Sequence, residues 1–183
     1  MKSGRLAVAA LAATAACVAA CGHAPSRPAV PSGVLSVRAV SWLPATTQAL
    51  SSADVQKDST RPGLVARLHG WGYLGGWQRT FQGESRRLTL VVSRSLMFSS
   101  RRGATSFVGY VSSHLNSFYP FAIIRRITVS GQAGWLIKPP LCACHLAEPY
   151  YVGIAATGRR VRWLEINGPR ATGRLLTTSL AEQ

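Results

Sequence analysis

The sequence predicts an α+β fold, with a mostly antiparallel sheet and helices packed on one face of that sheet. Two pairs of apolar segments are each joined by a short turn, at Gly131 within 121–138 and at Gly158 within 150–166. Such pairs predict β-hairpins, whose strands run antiparallel. Residues 103–118 carry apolar side chains at steps of three and four, which is typical of a helix with one buried face. A helix that lies on an antiparallel sheet defines the α+β class.

The elements before this helix are shorter and more polar. Ala45 to Lys57 has the spacing of a polar helix, and Pro62 favours the start of a second helix that ends at Gly70. Residues 71–81 are aromatic and interrupted by glycines, which indicates an irregular strand. Residues 86–93 place leucine or valine at every second position, and this pattern predicts a regular strand.

The second half begins with the clearest helical pattern and ends with a further helix. The apolar stripe within 103–118 consists of Ala104, Phe107, Val108, Val111, Leu115 and Phe118. After the two hairpins, a last helix is predicted to begin at Pro169 and to carry leucines at 175, 176 and 180. This order of elements is similar to that of small exported PsbP-like domains found among bacterial lipoproteins. The similarity concerns element order alone and implies an exported α+β domain.

The N-terminus has the features of a secretory signal peptide. Lys2 and Arg5 precede the apolar run 6–20, which at fifteen residues is shorter than the roughly 20 needed to span a bilayer. Val18-Ala19-Ala20-Cys21 resembles the lipobox of bacterial lipoproteins. The resemblance implies cleavage before Cys21 and a covalent diacylglycerol on its thiol. An ordinary signal peptide that is cut elsewhere is the alternative.

These features divide the chain into three parts. Residues 1–20 are the predicted signal peptide, and 21–40 form a flexible tether rich in proline, serine and glycine. Residues 41–183 form a single α+β domain. The expected location is extracytoplasmic, with the lipid on Cys21 anchoring the domain to the cell membrane. No other cofactor is expected.

A second group of residues, which could form a disulfide or bind a metal, is Cys142-Ala143-Cys144-His145. It follows two prolines in a loop between the hairpins. In an oxidising compartment, Cys142 and Cys144 are expected to form a disulfide. Because the bridge would span one residue, it would be strained and could act as a redox switch. Two thiolates and His145 would alternatively suit copper(I) or zinc, although no second cysteine pair completes the site. Free thiols without a function are the fourth interpretation.

The charge balance points to an anionic partner. The chain has 21 basic and 6 acidic residues, a formal net charge of +15, and +13 remains from residue 21 onward. Anionic lipid, an envelope wall polymer and an acidic protein are the expected partners, and nucleic acid is disfavoured because no recognition motif is present. The residues predicted to form the anion-binding surface are Arg125, Arg126, Arg159, Arg160 and Arg162.

Enzymatic function has no support in the sequence. The six acidic residues are scattered singly, so no carboxylate pair for glycoside hydrolysis is suggested, and hydrolase motifs are absent from the sequence. Gly70 to Gly75 matches a dinucleotide-binding pattern by letter, but it follows a helix where that motif follows a strand. We therefore expect a non-enzymatic, membrane-anchored binding module for an anionic ligand or partner. The alternative is a redox or metal-handling lipoprotein that uses Cys142, Cys144 and His145.

Overall fold

The computed structural model of the chain describes Val40 and residues 44–83, 88–129, 132–138 and 149–182. Seven antiparallel strands form one sheet in the order β1-β2-β3-β7-β6-β5-β4. The strands are β1 (Ala45–Leu50), β2 (Tyr73–Gln82), β3 (Leu90–Phe98), β4 (Ile123–Val129), β5 (Gln132–Lys138), β6 (Tyr150–Thr157) and β7 (Arg160–Asn167). The helices are α1 (Ser52–Lys57), α2 (Leu64–Gly70), α3 (Arg101–Ser113), α4 (Leu115–Phe118) and α5 (Gly173–Glu182). The prediction of an α+β fold with an antiparallel sheet is confirmed.

One face of the sheet is covered by α3. Its stripe, which includes Ala104, Phe107 and Val111, is buried against the central strands. Ser100 caps the helix by accepting a hydrogen bond from the backbone N–H of Gly103. A β-carbon at position 103 would lie 2.0 Å from the carbonyl oxygen of Trp71, so this close approach requires glycine.

The opposite face is covered by α5, which corrects the expectation that the helices share one face. Leu176 and Leu180 of α5 pack in a separate apolar cluster with Leu164 and Ile166 of β7. Neighbouring β7 residues such as Trp163 belong instead to the cluster under α3. Because the central strands carry large apolar side chains on both faces, each face needs a helix to exclude water.

Several element boundaries differ from the sequence-based expectation. Residues 45–50 form an edge strand in register with β2, and the helix starts only at Ser52. There Ser51 and Asp54 form a capping box, in which each side chain bonds the other residue's backbone N–H. The predicted hairpins are present, and Gly158 turns the second with a positive φ of 58°. Within the described ranges, no helix has the length and apolarity needed to cross a membrane.

Candidate functional site

A buried arginine on the central strand β3 organises the most polar part of the interior. Arg94 lies on the α3 side of the sheet, between Gln78 of β2 and Trp163 of β7 in register. Its side chain is 11% exposed. The guanidinium carbon lies 4.9 Å from the ring centre of Trp163, so the cation stacks on an aromatic face.

Three acceptors on three different elements hold this guanidinium. Nε donates to Oε1 of Gln78 at 2.6 Å, and Nη1 donates to Oε1 of Glu165 at 3.1 Å. Nη2 donates to Oδ1 of Asp58, at the C-terminal end of α1, at 3.3 Å. Arg94 therefore ties α1 to the sheet and has an acceptor for each of its nitrogens.

The Glu165 carboxylate also accepts hydrogen bonds from two tyrosines. The Tyr119 hydroxyl donates to Oε1 at 3.0 Å, and the Tyr150 hydroxyl donates to Oε2. Trp163 in turn donates from Nε1 to the Tyr119 oxygen at 3.2 Å. We call Asp58, Arg94, Glu165, Tyr119 and Tyr150 the polar cluster. Each member has at least one hydrogen-bond partner within the cluster, as buried polar groups require.

All members of the polar cluster except Tyr150 line a surface cleft of about 390 Å³ and form its floor. Its walls are the segment 57–60, which begins at the last residue of α1, and the segment 117–120, which ends α4 and continues to Pro120. The backbone N–H of Thr60 donates to the carbonyl of Ser117 at 2.7 Å, and the Ser59 hydroxyl donates to the Ser117 hydroxyl at 3.2 Å. These bonds fix one wall against the other.

Electrostatics in the cleft follow from burial and from the close approach of charges. Burial, together with the nearby Glu165, raises the pKa of Asp58, and Arg94 only partly opposes this. Burial by itself would lower the pKa of Arg94, but Glu165 and Asp58 outweigh it and raise the pKa. Burial and Glu165 raise the pKa of Tyr119 and Tyr150, so both hydroxyls stay protonated and act as donors.

The five predicted anion-binding arginines lie in two separate places. Arg125 and Arg126 are exposed neighbours on β4, at one edge of the sheet, and point to opposite faces. Arg159 is exposed in the β6–β7 turn, followed by Arg160 in β7. Arg162 is partly buried, and its Nη1 donates to the carbonyl of Leu180 in the last turn of α5, at 3.4 Å.

The strand order explains why these arginines do not meet. β5 and β6 separate β4 from β7, so three strand spacings, roughly 14 Å, lie between them. On one of the two faces of the sheet, the α5 helix also contacts β4, β6 and β7. The β4 pair and the β7 group are therefore two surfaces.

The remaining predicted sites lie outside the described residues. These are the lipid-attachment residue Cys21 and the loop residues Cys142, Cys144 and His145. Where the chain is described, no three His, Cys, Asp or Glu side chains come together in a way that could hold a metal ion.

The polar cluster was not predicted from the sequence, although two of its members carry a usable signal. Arg94 lies in a strand that is otherwise largely apolar, LVVSRSLMF, and Glu165 lies between the apolar Leu164 and Ile166 in the strand RVRWLEIN. A charge in such a strand is rarely left unpaired, so each one indicates a buried partner. Asp58 offers no comparable signal, because it follows a short polar helix and only the fold brings it to Arg94.

Comparisons with known proteins leave the site to be interpreted from its own geometry. No protein-family model matches the chain, and no curated protein matches it. Among solved structures, the chain is similar to the extracellular domain of PknH from Mycobacterium tuberculosis, at 12% sequence identity and a TM-score of 0.37. That alignment covers 76% of this chain and 75% of the other.

Proposed function

We propose that this chain is a non-enzymatic binding domain, held outside the cytoplasm by a diacylglycerol on Cys21, and that its cleft binds a small polar ligand. The ligand presents a positive charge or several hydrogen-bond donors to Asp58. The lipobox-like Val18–Cys21 segment supports the anchor. The cleft geometry supports the ligand site, and the two parts of the proposal can be tested separately.

The observation that carries the ligand site is the pair of carboxylates at the floor of the cleft. The whole chain has only 6 acidic residues against 21 basic ones. Two of the six, Asp58 and Glu165, nevertheless line the same cleft. Lys57 and Arg94 line the cleft as well, so the charges of its lining balance, whereas the chain as a whole carries a formal net charge of +15. A cation is therefore repelled less in the cleft than over the surrounding surface.

The arginine in the floor does not make the cleft an anion site. Arg94 already donates to Gln78, Glu165 and Asp58, and its face is stacked on Trp163. An anionic ligand would also approach two carboxylates. Asp58 is the more accessible of them, with 31% of its side chain exposed against 8% for Glu165. Asp58 is therefore the group that contacts the ligand, and Arg94 with Glu165 fixes its position.

The size of the cleft limits the ligand class. At about 390 Å³, it lies at the lower end of the range for small-molecule sites. The neighbouring Thr60 is exposed and adds a hydroxyl to the wall. A ligand the size of a monosaccharide or an amino acid, with an amine or several hydroxyls, fits both the volume and the acceptors.

Three sugars of equal size and different charge test the ligand site. Calorimetric titration of the full chain at pH 6.5 with glucosamine, glucose and glucuronate is expected to give the tightest binding for the cationic glucosamine. Asp58→Asn is expected to weaken glucosamine binding about tenfold or more, because a hydrogen bond to a charged group contributes about 1.5–3 kcal/mol.

Asp54→Asn is the matched control, since it removes the same charge from a carboxylate that does not line the cleft and that bonds Ser51 and the cleft residue Lys57. Equal losses in the two variants, tighter binding of glucuronate, or no binding of any of the three sugars would contradict the ligand site. The anchor is tested by mass spectrometry of the N-terminal peptide of the protein isolated from its own membranes. An unmodified Cys21 would contradict the anchor.

A further inference from the structure

The β4 edge of the sheet carries an unusual combination of exposed side chains. Phe121, just before β4, is 88% exposed, and Ile123 at its start is 66% exposed. Phe121 also has a positive φ of 63°, a backbone conformation that bulky residues rarely adopt. The outer side of β4 pairs with no other strand among the described residues. Two large apolar side chains are thus presented at an open edge.

Positive charge lies directly beside these apolar side chains. Arg125 and Arg126 are exposed, and neither forms an ion pair with any described carboxylate. The sequence contains no acidic residue between Glu84 and Glu148, a stretch that includes β4 and β5. The edge therefore combines apolar side chains with two cations that have no ion-pair partner among the described residues.

We propose that this edge, formed by Phe121, Ile123, Arg125 and Arg126, docks on the surface of an anionic phospholipid bilayer. Phe121 and Ile123 enter the boundary between head groups and acyl chains, and the two guanidiniums bind lipid phosphates. Arg125 and Arg126 point to opposite faces of the sheet, so a domain standing edge-on places one guanidinium on each side of the contact line. A planar array of phosphates can bind both at once.

Charge complementarity decides between a bilayer and a partner strand. An added strand would pair with the backbone of β4 and needs no positive charge around it. Each basic residue near the surface of a bilayer with anionic lipid raises the affinity for that bilayer by a factor of about five. The proposal is independent of the ligand in the cleft and of the lipid on Cys21, because it rests on residues 121–126 alone.

Tryptophan quenching by lipid tests the depth of Phe121. The full chain with Phe121→Trp is bound to vesicles of brominated phosphatidylglycerol and phosphatidylcholine, and its fluorescence is compared with that of the unsubstituted chain. The additional tryptophan is expected to be quenched by the bromines. The control is Leu74→Trp in β2, an equally apolar position that is 65% exposed and lies near the other edge of the sheet. Equal quenching at both positions, or no quenching at position 121, would overturn the proposal.

Charge reversal tests the arginines. Arg125→Glu with Arg126→Glu is expected to lower the partition constant onto anionic vesicles at least tenfold and to leave binding to pure phosphatidylcholine unchanged. Arg101→Glu with Arg102→Glu makes the same charge change on two exposed residues at the start of α3 and is expected to have a smaller effect. Equal effects of the two double variants would overturn the proposal. So would a dimer of the full chain in solution that the β4 variant dissociates, since a second copy would then occupy the edge.

Discussion

The two faces of the central strand β7 solve the same packing problem in different ways. Towards α5, Leu164 and Ile166 pack in an apolar cluster with Leu176 and Leu180. Towards α3, Val161 and Trp163 are apolar, but the next residue on this face is Glu165 with its ion pair to Arg94. Burying two charges costs more solvation free energy than their attraction returns unless further hydrogen bonds hold them. On the α5 face, Leu164 and Ile166 are apolar although Arg162 on the same face donates to the carbonyl of Leu180, so packing by itself does not require the buried ion pair of the α3 face.

Among the variants that test this contrast, the one that removes a single member of the ion pair is expected to lose the most stability. Glu165→Leu is expected to lower the free energy of unfolding by about 3–5 kcal/mol, because it leaves Arg94 short of a carboxylate and two tyrosine hydroxyls without an acceptor. Urea denaturation followed by circular dichroism measures the loss. Ile166→Val, on the adjacent residue of the α5 face, is the control, with an expected loss of about 0.5–1.5 kcal/mol.

The double variant Arg94→Met with Glu165→Leu then separates stability from function. It removes both buried charges, so it is expected to be more stable than Glu165→Leu alone while it abolishes glucosamine binding. If the double variant is less stable than the unsubstituted chain, the ion pair is a net stabilising feature. The contribution of the ion pair to stability would then be enough to explain its presence.

The α5 face is expected to affect stability without affecting the cleft. Leu176 is fully buried there, so Leu176→Ala is expected to cost about 2–5 kcal/mol in the free energy of unfolding. The glucosamine affinity of the folded fraction is expected to remain unchanged, because the side chain packs on the opposite side of the sheet from Asp58. Titration well below the unfolding temperature checks this. A several-fold loss of affinity would mean that the two faces are coupled through the sheet.

Prediction from sequence succeeded where the signal is local. Alternating apolar residues and Gly158 specify the β6–β7 hairpin within one stretch of chain, and the apolar stripe of α3 does the same for the helix. β1 was missed because ATTQAL has a single large apolar residue, Leu50, and all positions before it are exposed. Such a strand depends on backbone pairing with β2, which the pattern of its side chains does not reveal.

The polar cluster could not be predicted because its members are distant in sequence. Arg94 is 36 residues from Asp58 and 71 from Glu165, and only the packing of α1 and the β3–β7 register bring them together. The same strand order determines how the predicted anion-binding arginines are distributed. Arg125 and Arg162 lie on strands that β5 and β6 separate, and the sequence does not reveal whether such residues share a surface.

Titration of Asp58 provides the smallest and most specific test of the polar cluster. Its pKa is raised above the ordinary 3.8, mainly by burial, so the folded chain holds this proton more tightly than the unfolded chain. The contribution of Asp58 to stability is therefore greatest below pH 3.8 and is lost as the pH rises through the folded-state pKa. Asp58→Asn abolishes this loss, so between pH 4 and pH 7 the variant is expected to gain stability relative to the unsubstituted chain.

Ligand binding is expected to follow the opposite trend over the same range, since glucosamine requires the ionised carboxylate that the fold disfavours. Paired urea denaturation and calorimetry at pH 4 and pH 7 measure both trends. Asp54 is the internal reference, because hydrogen bonds from Lys57 and Ser51 lower its pKa. Its contribution to stability is therefore lost only as the pH falls below the ordinary pKa of an aspartate. If stability and glucosamine affinity rise together from pH 4 to pH 7 and Asp58→Asn changes neither slope, Asp58 is not the group that meets the ligand. If stability falls and glucosamine affinity rises from pH 4 to pH 7, and both trends disappear in Asp58→Asn, the ionised Asp58 carboxylate lowers stability and promotes binding. This combination is expected of a functional site.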